Sequence, residues 1–229
     1  APHSPARLTA GHFLSVVGLI VAGVHDKTGE GFALVEPNPG GWGAGPDKDG
    51  ESGLVSFADG ETFASSVEVI ETRYPIVVER YALNPEAGVG HGKHRGGFGI
   101  IKDYRITNRR AEFTTDINRA VVPPWSMEGG GKGTLNHIVI SGEGKAPLRV
   151  RKISAHRLDR GDVVSIRTGA GGGWGDPLDR DPAQVLADVR AGYVSRETAR
   201  DIYGVILSED KFEVDAAATA ALRARRCAK

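Results

Sequence analysis

Apolar and polar side chains alternate over short distances along this chain, and most of the pattern reads as β-strand. In residues 74–83, Ile76, Val77, Val78, Tyr81 and Leu83 are broken only by Glu79, Arg80 and Ala82. That density of β-branched side chains favours a half-buried strand, which Asn84-Pro85 ends. Residues 100–106 and 111–117 read as two further strands separated by a polar turn. Residues 135–140 and 148–153 flank a Ser-Gly-Glu-Gly-Lys-Ala-Pro stretch that signals a hairpin, and a tight turn at 158–162 leads into a strand over 163–167. Residues 12–24 form the most apolar segment and fit either a strand or a buried helix, because short apolar runs defeat periodicity arguments. The turn at 26–29 and the strand-like residues 32–35 after it favour a β-hairpin here. Residues 1–10, with Pro2 and Pro5, are expected to trail along a surface.

The signals turn helical from Asp181. Asp181 has the chemistry of an N-cap, Pro182 suits the first helical position, and Val185, Leu186 and Val189 form an apolar stripe that Gly192 stops. A second short helix is expected from Ser195 to Gly204, then a brief extended piece at 205–207. Residues 215–226 predict an alanine-rich helix whose closing arginines suit its negative end. The fold class is therefore α+β. A β-rich body of hairpins and long glycine-rich loops is expected over residues 1–178, with a C-terminal helical segment packed on it over 179–229.

The chain has 229 residues, enough for one sizeable core, and its 40% hydrophobic and 25% charged content is that of a folded globular protein. Lysine plus arginine equals aspartate plus glutamate at 29 each, so no global field draws the protein to nucleic acid or an anionic membrane. The 13 residues of the segment 12–24 are too few to span a bilayer, and they lack the flanks of a signal peptide. Cys227, the single cysteine, cannot form an internal disulfide, which fits a reducing, cytoplasmic setting.

The 32 glycines change the picture most, because they are concentrated in loops. Residues 36–53 are too rich in Gly and Pro for a regular element, and an ordered loop of that length is more often functional than idle. Residues 88–99 hold six glycines together with His91, Lys93, His94 and Arg95. Such a loop brings N–H groups and cations close to an anion or to another chain, or it is simply a wide hairpin turn with solvated cations. Residues 169–177 resemble a phosphate loop only superficially, since no Lys-Ser/Thr pair follows.

Among candidate residues, His94 and Arg95 could stabilise an anionic intermediate or meet an interface carboxylate. Alternatively, Arg95 pairs with Glu68, Glu71 or Glu79 and fixes the loop. Glu68 and Glu71 lie three apart in a segment, 61–71, that fits a short helix or an extended piece; in a helix their carboxylates share a face, for metal or acid–base work or as a solvated surface. Asp47 and Asp49 beside Gly50 could ligate a hard cation or serve an Asx turn. His91 is expected at the surface. Trp42, Trp125 and Trp174 each sit in a glycine-rich loop, walling a ligand pocket or a subunit contact, or packing beneath the loop.

Several of these stretches together resemble the C-terminal portion of the hydantoinase B/oxoprolinase family. The Arg95-Gly96-Gly97-Phe98-Gly99 run matches the family's basic glycine motif. Gly40, Gly41, Gly43, Ala44, Asp49 and Gly50 match its "GGxGA…DG" loop, while Val67, Glu68, Glu71 and Pro75 match an acidic segment. Gly161-Asp162 with residues 171–177 is similar to its closing motif, and residues 181–207 look like its helical signature. Ala64 and Ser66 stand where the family has Asn and Pro.

The resemblance implies a component of a multi-subunit, ATP-dependent enzyme. A hydantoinase A-like subunit phosphorylates a carbonyl or lactam oxygen, and water then opens a cyclic amide; in the carboxylase branch, activated bicarbonate meets a ketone. A third reading is a non-catalytic scaffold subunit. Relatives are longer and carry their metal ligands in an N-terminal portion that this sequence does not contain, so a chain carrying that portion is a second expected partner. By this reading the chain alone binds no cofactor and no metal, and ATP and a divalent metal belong to the assembled complex. The substrate or interface candidates are Glu68, Glu71, His94, Arg95, Gly96, Gly97, Asp49 and Trp42.

Overall fold

The computed structural model describes residues 7–56, 62, 64–208 and 212–227. The first six residues of the expected surface-trailing N-terminus, the start of the 61–71 segment and the Cys227 side chain lie outside what is described.

Among the described residues nine strands form two antiparallel sheets. One sheet has the order β2-β1-β5-β8, from β1 (Gly18–Val24), β2 (Gly31–Glu36), β5 (Arg110–Asp116) and β8 (Lys152–Asp159). The other has the order β3-β4-β9-β6-β7, from β3 (Ile76–Leu83), β4 (Ile100–Ile106), β9 (Val163–Arg167), β6 (His137–Gly142) and β7 (Lys145–Val150). The chain changes sheet five times, between β2 and β3, β4 and β5, β5 and β6, β7 and β8, and β8 and β9. At the β7–β8 crossing Arg151 alone separates the strands.

The strand period of two explains the packing, since alternate residues face opposite sides. Leu19, Val21, Leu34 and Phe113 of the first sheet share one buried cluster with Tyr104, Ile106, Ile138, Val164 and Ile166 of the second. Outward, Ile20 stands opposite Val35 in register, and both are exposed.

Two expectations are corrected. Only the second half of the 12–24 segment is strand: Leu14 (φ 36°) and Val17 (φ 41°) leave the extended region. Side chains take over the irregular backbone there, with Asn38 Nδ2 donating to the Val17 carbonyl (3.0 Å) and the Val17 amide donating to Ser15 Oγ (3.2 Å). The strand expected over 148–153 is broken at Arg151: its first half closes β7 in one sheet and its second half opens β8, which runs to Asp159 in the other. Ala155 (φ 48°) makes a bulge opposite residues 113–115, and its amide donates to Thr114 Oγ1, which breaks the alternation a strand would show.

The segment at 61–71 resolves into helix α1 (Val67–Arg73), capped by Ser66 and lying against β3. The C-terminal helices fall where their caps predict. Helix α2 (Pro182–Arg190) is capped by Asp181, α3 (Arg196–Asp201) by Ser195, and Gly192 (φ 73°) follows α2. With α4 (Ala216–Cys227) they accompany a small second core of Val185, Val189, Val194, Ala199, Tyr203 and Val205. No helix among the described residues is long and apolar enough to cross a membrane.

Candidate functional site

The glycine-rich loops converge on one another as bare backbone. Residues 169–175 form the central thread. The Gly171 amide donates to the Gly97 carbonyl (2.9 Å), the Gly97 amide to Trp42 (2.8 Å), and Gly90 to Gly171 (3.0 Å). Gly41 donates to Gly169 (2.9 Å), Gly172 to Gly11 (2.9 Å), and Gly173 to Gly131 (2.9 Å). A Cβ built on Gly41, Gly43, Gly50, Gly96, Gly97, Gly99, Gly171, Gly172 or Gly173 would lie under 3.0 Å from a neighbouring backbone atom. These glycines are therefore needed for close approach of main chains, and their carbonyls and amides satisfy one another. The amides quoted donate to carbonyl oxygens and are not free to cradle a phosphate.

A charged network clamps the helices onto this lattice. Arg180, only 2% exposed, donates through both Nη atoms to Asp49 (2.7 and 2.8 Å) and through Nη2 to Asp188 (2.8 Å). Arg95 Nε donates to Asp188 (3.1 Å), its backbone amide donates to Asp49 (2.9 Å), and its guanidinium lies over Phe98 and Tyr193. Burial opposes charge on Asp49, yet Arg180 and then Arg95 hold its pKa below the ordinary value. Burial likewise works against Arg180, while Asp49 and Asp188 hold its pKa raised. Arg180 and Asp49 thus face each other as an ion pair, and Asp188 and Arg95 complete the network.

His94 borders the network, its Nδ1 3.9 Å from Asp49 and its ring tilted against Trp174. His91, expected at the surface, is instead half-buried, with Nδ1 2.8 Å from the Tyr203 hydroxyl. Trp42 packs against the main core, with its indole N–H donating to the Val55 carbonyl (2.8 Å) and its ring against His12.

The structure thus gathers Asp49, His94, Arg95, Gly96 and Gly97 in one place. It leaves Glu68 and Glu71 elsewhere, exposed on α1. Glu71 accepts from the Val78 amide (2.9 Å), and the Glu68 carbonyl accepts from the Thr72 hydroxyl (2.6 Å). Arg95 pairs with none of the glutamates expected for it, and Glu79 binds Arg105 instead. Asp49 serves the arginines rather than a local turn. Sequence reading missed Arg180, Asp188 and Tyr203. Asp188 did carry a signal, because it lies between the inward residues Val185 and Val189, where an apolar side chain belongs.

Among the described residues no group of three or more His, Cys, Asp or Glu side chains is placed to hold a metal ion, and Asp49 and Asp188 are already bound by arginine. The donor set at this site does not fit a metal.

Four histidines, His12, His91, His94 and His137, have pKa values below the ordinary one, with burial the largest cause in each. Between their folded values and about 6.5, the unfolded chain takes up protons that the folded chain refuses. Stability is therefore complete above about pH 6.5 and falls as pH drops below it. The Gly43 amide donates to His12 Nδ1 (2.7 Å), a bond that protonation of that nitrogen destroys. Urea midpoints measured from pH 7.5 to 5.5 should decline, and His12→Asn, which keeps an acceptor but cannot charge, should show a shallower decline.

The hydantoinase B/oxoprolinase family model matches residues 1–177. The chain is 34% identical over 173 residues to the caprolactamase subunit beta of Pseudomonas jessenii, covering 72% of this chain and 29% of that one. It is 29% identical over 242 residues to the acetophenone carboxylase delta subunit of Aromatoleum aromaticum, covering 90% of this chain and 35% of that one. The crystal structure of the ATP-dependent caprolactamase from Pseudomonas jessenii superposes with a TM-score of 0.78 at 26% identity, over 96% of this chain and 39% of that one. The chain spans about a third of the length of these subunits and 11% of longer relatives such as 5-oxoprolinase 1 of Arabidopsis thaliana. Matched by the family model over residues 1–177, the chain belongs to the hydantoinase B/oxoprolinase family.

Proposed function

We propose that this chain is a component of an ATP-dependent, multi-subunit enzyme that opens a cyclic amide through a phosphorylated intermediate made on a partner subunit. The joint sequence and structural likeness to caprolactamase carries this reading. An unactivated amide resists water, and phosphorylating its oxygen supplies a better leaving group and a more electrophilic carbon. The glycine lattice holds its own amides in backbone bonds, so we assign the nucleotide step to a hydantoinase A-like partner. The remainder of the hydantoinase B-type subunit is the second partner, and a divalent metal belongs with that assembly rather than with the residues described here.

Within this scheme the chain serves as a rigid wall. Arg95 is already held by Asp188 and its aromatic neighbours, which favours a loop-fixing role over that of a free anion clamp. We assign contact with substrate or partner to His94, which borders the ion network with its side chain 15% exposed.

A ketone carboxylase is the second reading, favoured by the match to the acetophenone carboxylase delta subunit over 90% of this chain. Co-expression with a hydantoinase A-like chain and a chain supplying the remainder of a hydantoinase B-type subunit, followed by ATP-turnover assays, separates the two. Turnover stimulated by a lactam and indifferent to bicarbonate is expected. Turnover that requires a ketone and bicarbonate would replace the first reading with the second, and failure of the chains to co-purify would remove both. A His94→Gln complex with unchanged turnover would reduce the chain's role to scaffold.

A further inference from the structure

A second site is suggested where the chain passes between sheets. The segment after β5 and the β7–β8 crossing run side by side, joined by the Ile117 amide donating to the Arg151 carbonyl (2.9 Å). Between them is an open cleft of about 690 Å³, a volume in the range of small-molecule sites. Its lining includes Arg119, Arg149, Arg151 and Lys152 and contains no carboxylate. Lys152 is paired with Asp116 (2.9 Å). The guanidinium groups of Arg119, Arg149 and Arg151 have no hydrogen-bond or ion-pair partner among the described residues.

In a chain of zero formal net charge, three unneutralised arginines in one concavity are a local excess that the overall balance conceals. The field reaches the neighbouring strand. Burial first, and Arg149 second, hold the His137 imidazole on β6 below its ordinary pKa.

Arg119 is also set in place in advance. Its backbone adopts φ 52°, a conformation that non-glycine residues hold only where the surroundings impose it. The Asn136 amide donates to its carbonyl (3.0 Å), and its guanidinium lies 5.2 Å from the centre of the Trp125 ring. Stacking restrains a long side chain that would otherwise lose rotamer freedom on binding. Trp125 is fixed in turn, its carbonyl accepting from the Gly11 amide (2.8 Å). Val121 and Val122, 63% and 64% exposed, offer apolar contact at the rim.

We propose that this cleft binds a small organic oxyanion, a carboxylate or phosphate compound with a short apolar portion. The guanidinium groups of Arg119, Arg149 and Arg151 take the oxygens, and Val121 and Val122 meet the carbon skeleton. The site is independent of the ion network around Arg180, whose arginines are already neutralised, and it can be assayed on the isolated chain whatever reaction the assembled enzyme performs.

Calorimetric titration at constant ionic strength with pyrophosphate and with glutarate tests it, with hexaglutamate peptide as a third titrant. Tryptophan fluorescence reports in parallel, since a ligand on Arg119 perturbs the ring beneath it. Saturable binding of pyrophosphate or glutarate at or below about 1 mM is expected. The double variant Arg149→Gln, Arg151→Gln should weaken it about tenfold or more, and circular dichroism should confirm that these exposed positions leave the fold intact. The tighter of the two probes identifies phosphate or carboxylate chemistry. Binding unchanged in the double variant would mean an adventitious ion only and would overturn the proposal. So would silence from both small probes, or binding of the peptide alone.

Discussion

Gly171→Ala is expected to cost more than about 4 kcal/mol or to yield no folded protein. The reason is geometric. A methyl group there would overlap the Trp42 carbonyl and the Gly43 amide, which are backbone atoms and cannot rotate away as a side-chain tip can. Nor can either main chain retreat, because Gly171 is bonded to Gly97 through its amide and to Gly90 through its carbonyl. Gly97→Ala should behave alike, against Glu51. Gly31→Ala is the control: a Cβ there meets nothing within 4 Å and φ is not positive, so it should stay within about 0.5 kcal/mol of the parent. Urea unfolding of the three variants beside the parent decides the matter. A Gly171→Ala protein within 1 kcal/mol of the parent would show that the loops are not held as described.

The second large effect is expected from a buried ion pair. Lys102 on β4 and Glu36 at the end of β2 are 1% and 2% exposed, and Lys102 Nζ lies 2.8 Å from Glu36 Oε1. Tyr104 donates to Glu36 Oε2 (2.5 Å), and its hydroxyl also reaches Asn38 Oδ1 (3.2 Å). Burial, followed by the Glu36 charge, pushes the Tyr104 pKa well up and keeps it a donor. Lys102→Met leaves a carboxylate without its cation inside the core, which costs about 3–5 kcal/mol, roughly 6–20 °C in Tm for a chain of this size. Glu36→Gln strands the ammonium and should cost about as much. Combining the two removes both charges and keeps an acceptor for Tyr104, so the double variant should recover most of the loss. Equilibrium melts of the four proteins give the coupling directly. Additive losses would mean that the two charges do not stabilise each other.

Local elements were legible in the residues because their causes are local. Asp181-Pro182 and Ser195 place α2 and α3, and the apolar run at 163–167 gives β9 with its bounds. Strand β8 was obscured by the bulge at Ala155, which breaks the alternation on which strand reading depends. The lattice could be foreseen only as an excess of glycine. Which glycine meets which backbone, 41 against 97 or 97 against 51, depends on strands that bring distant loops together. At the candidate site, Asp49, His94 and Arg95 were named, but their partner Arg180 had no mark in the sequence: an arginine between Asp179 and Asp181 reads as a solvated turn residue. Glu68 and Glu71 drew notice by spacing, and spacing cannot say which way a helix faces.

The glycine lattice bears on how the protein answers to temperature. Where an ordinary interior buries hydrocarbon, these loops bury peptide groups, and hydrating amides and carbonyls on unfolding lowers the heat capacity that exposed hydrocarbon raises. The heat-capacity increment per residue is accordingly smaller than in a domain of equal length built from side chains alone. Free energy then curves less between cold and warm, and folding holds over a broader thermal span.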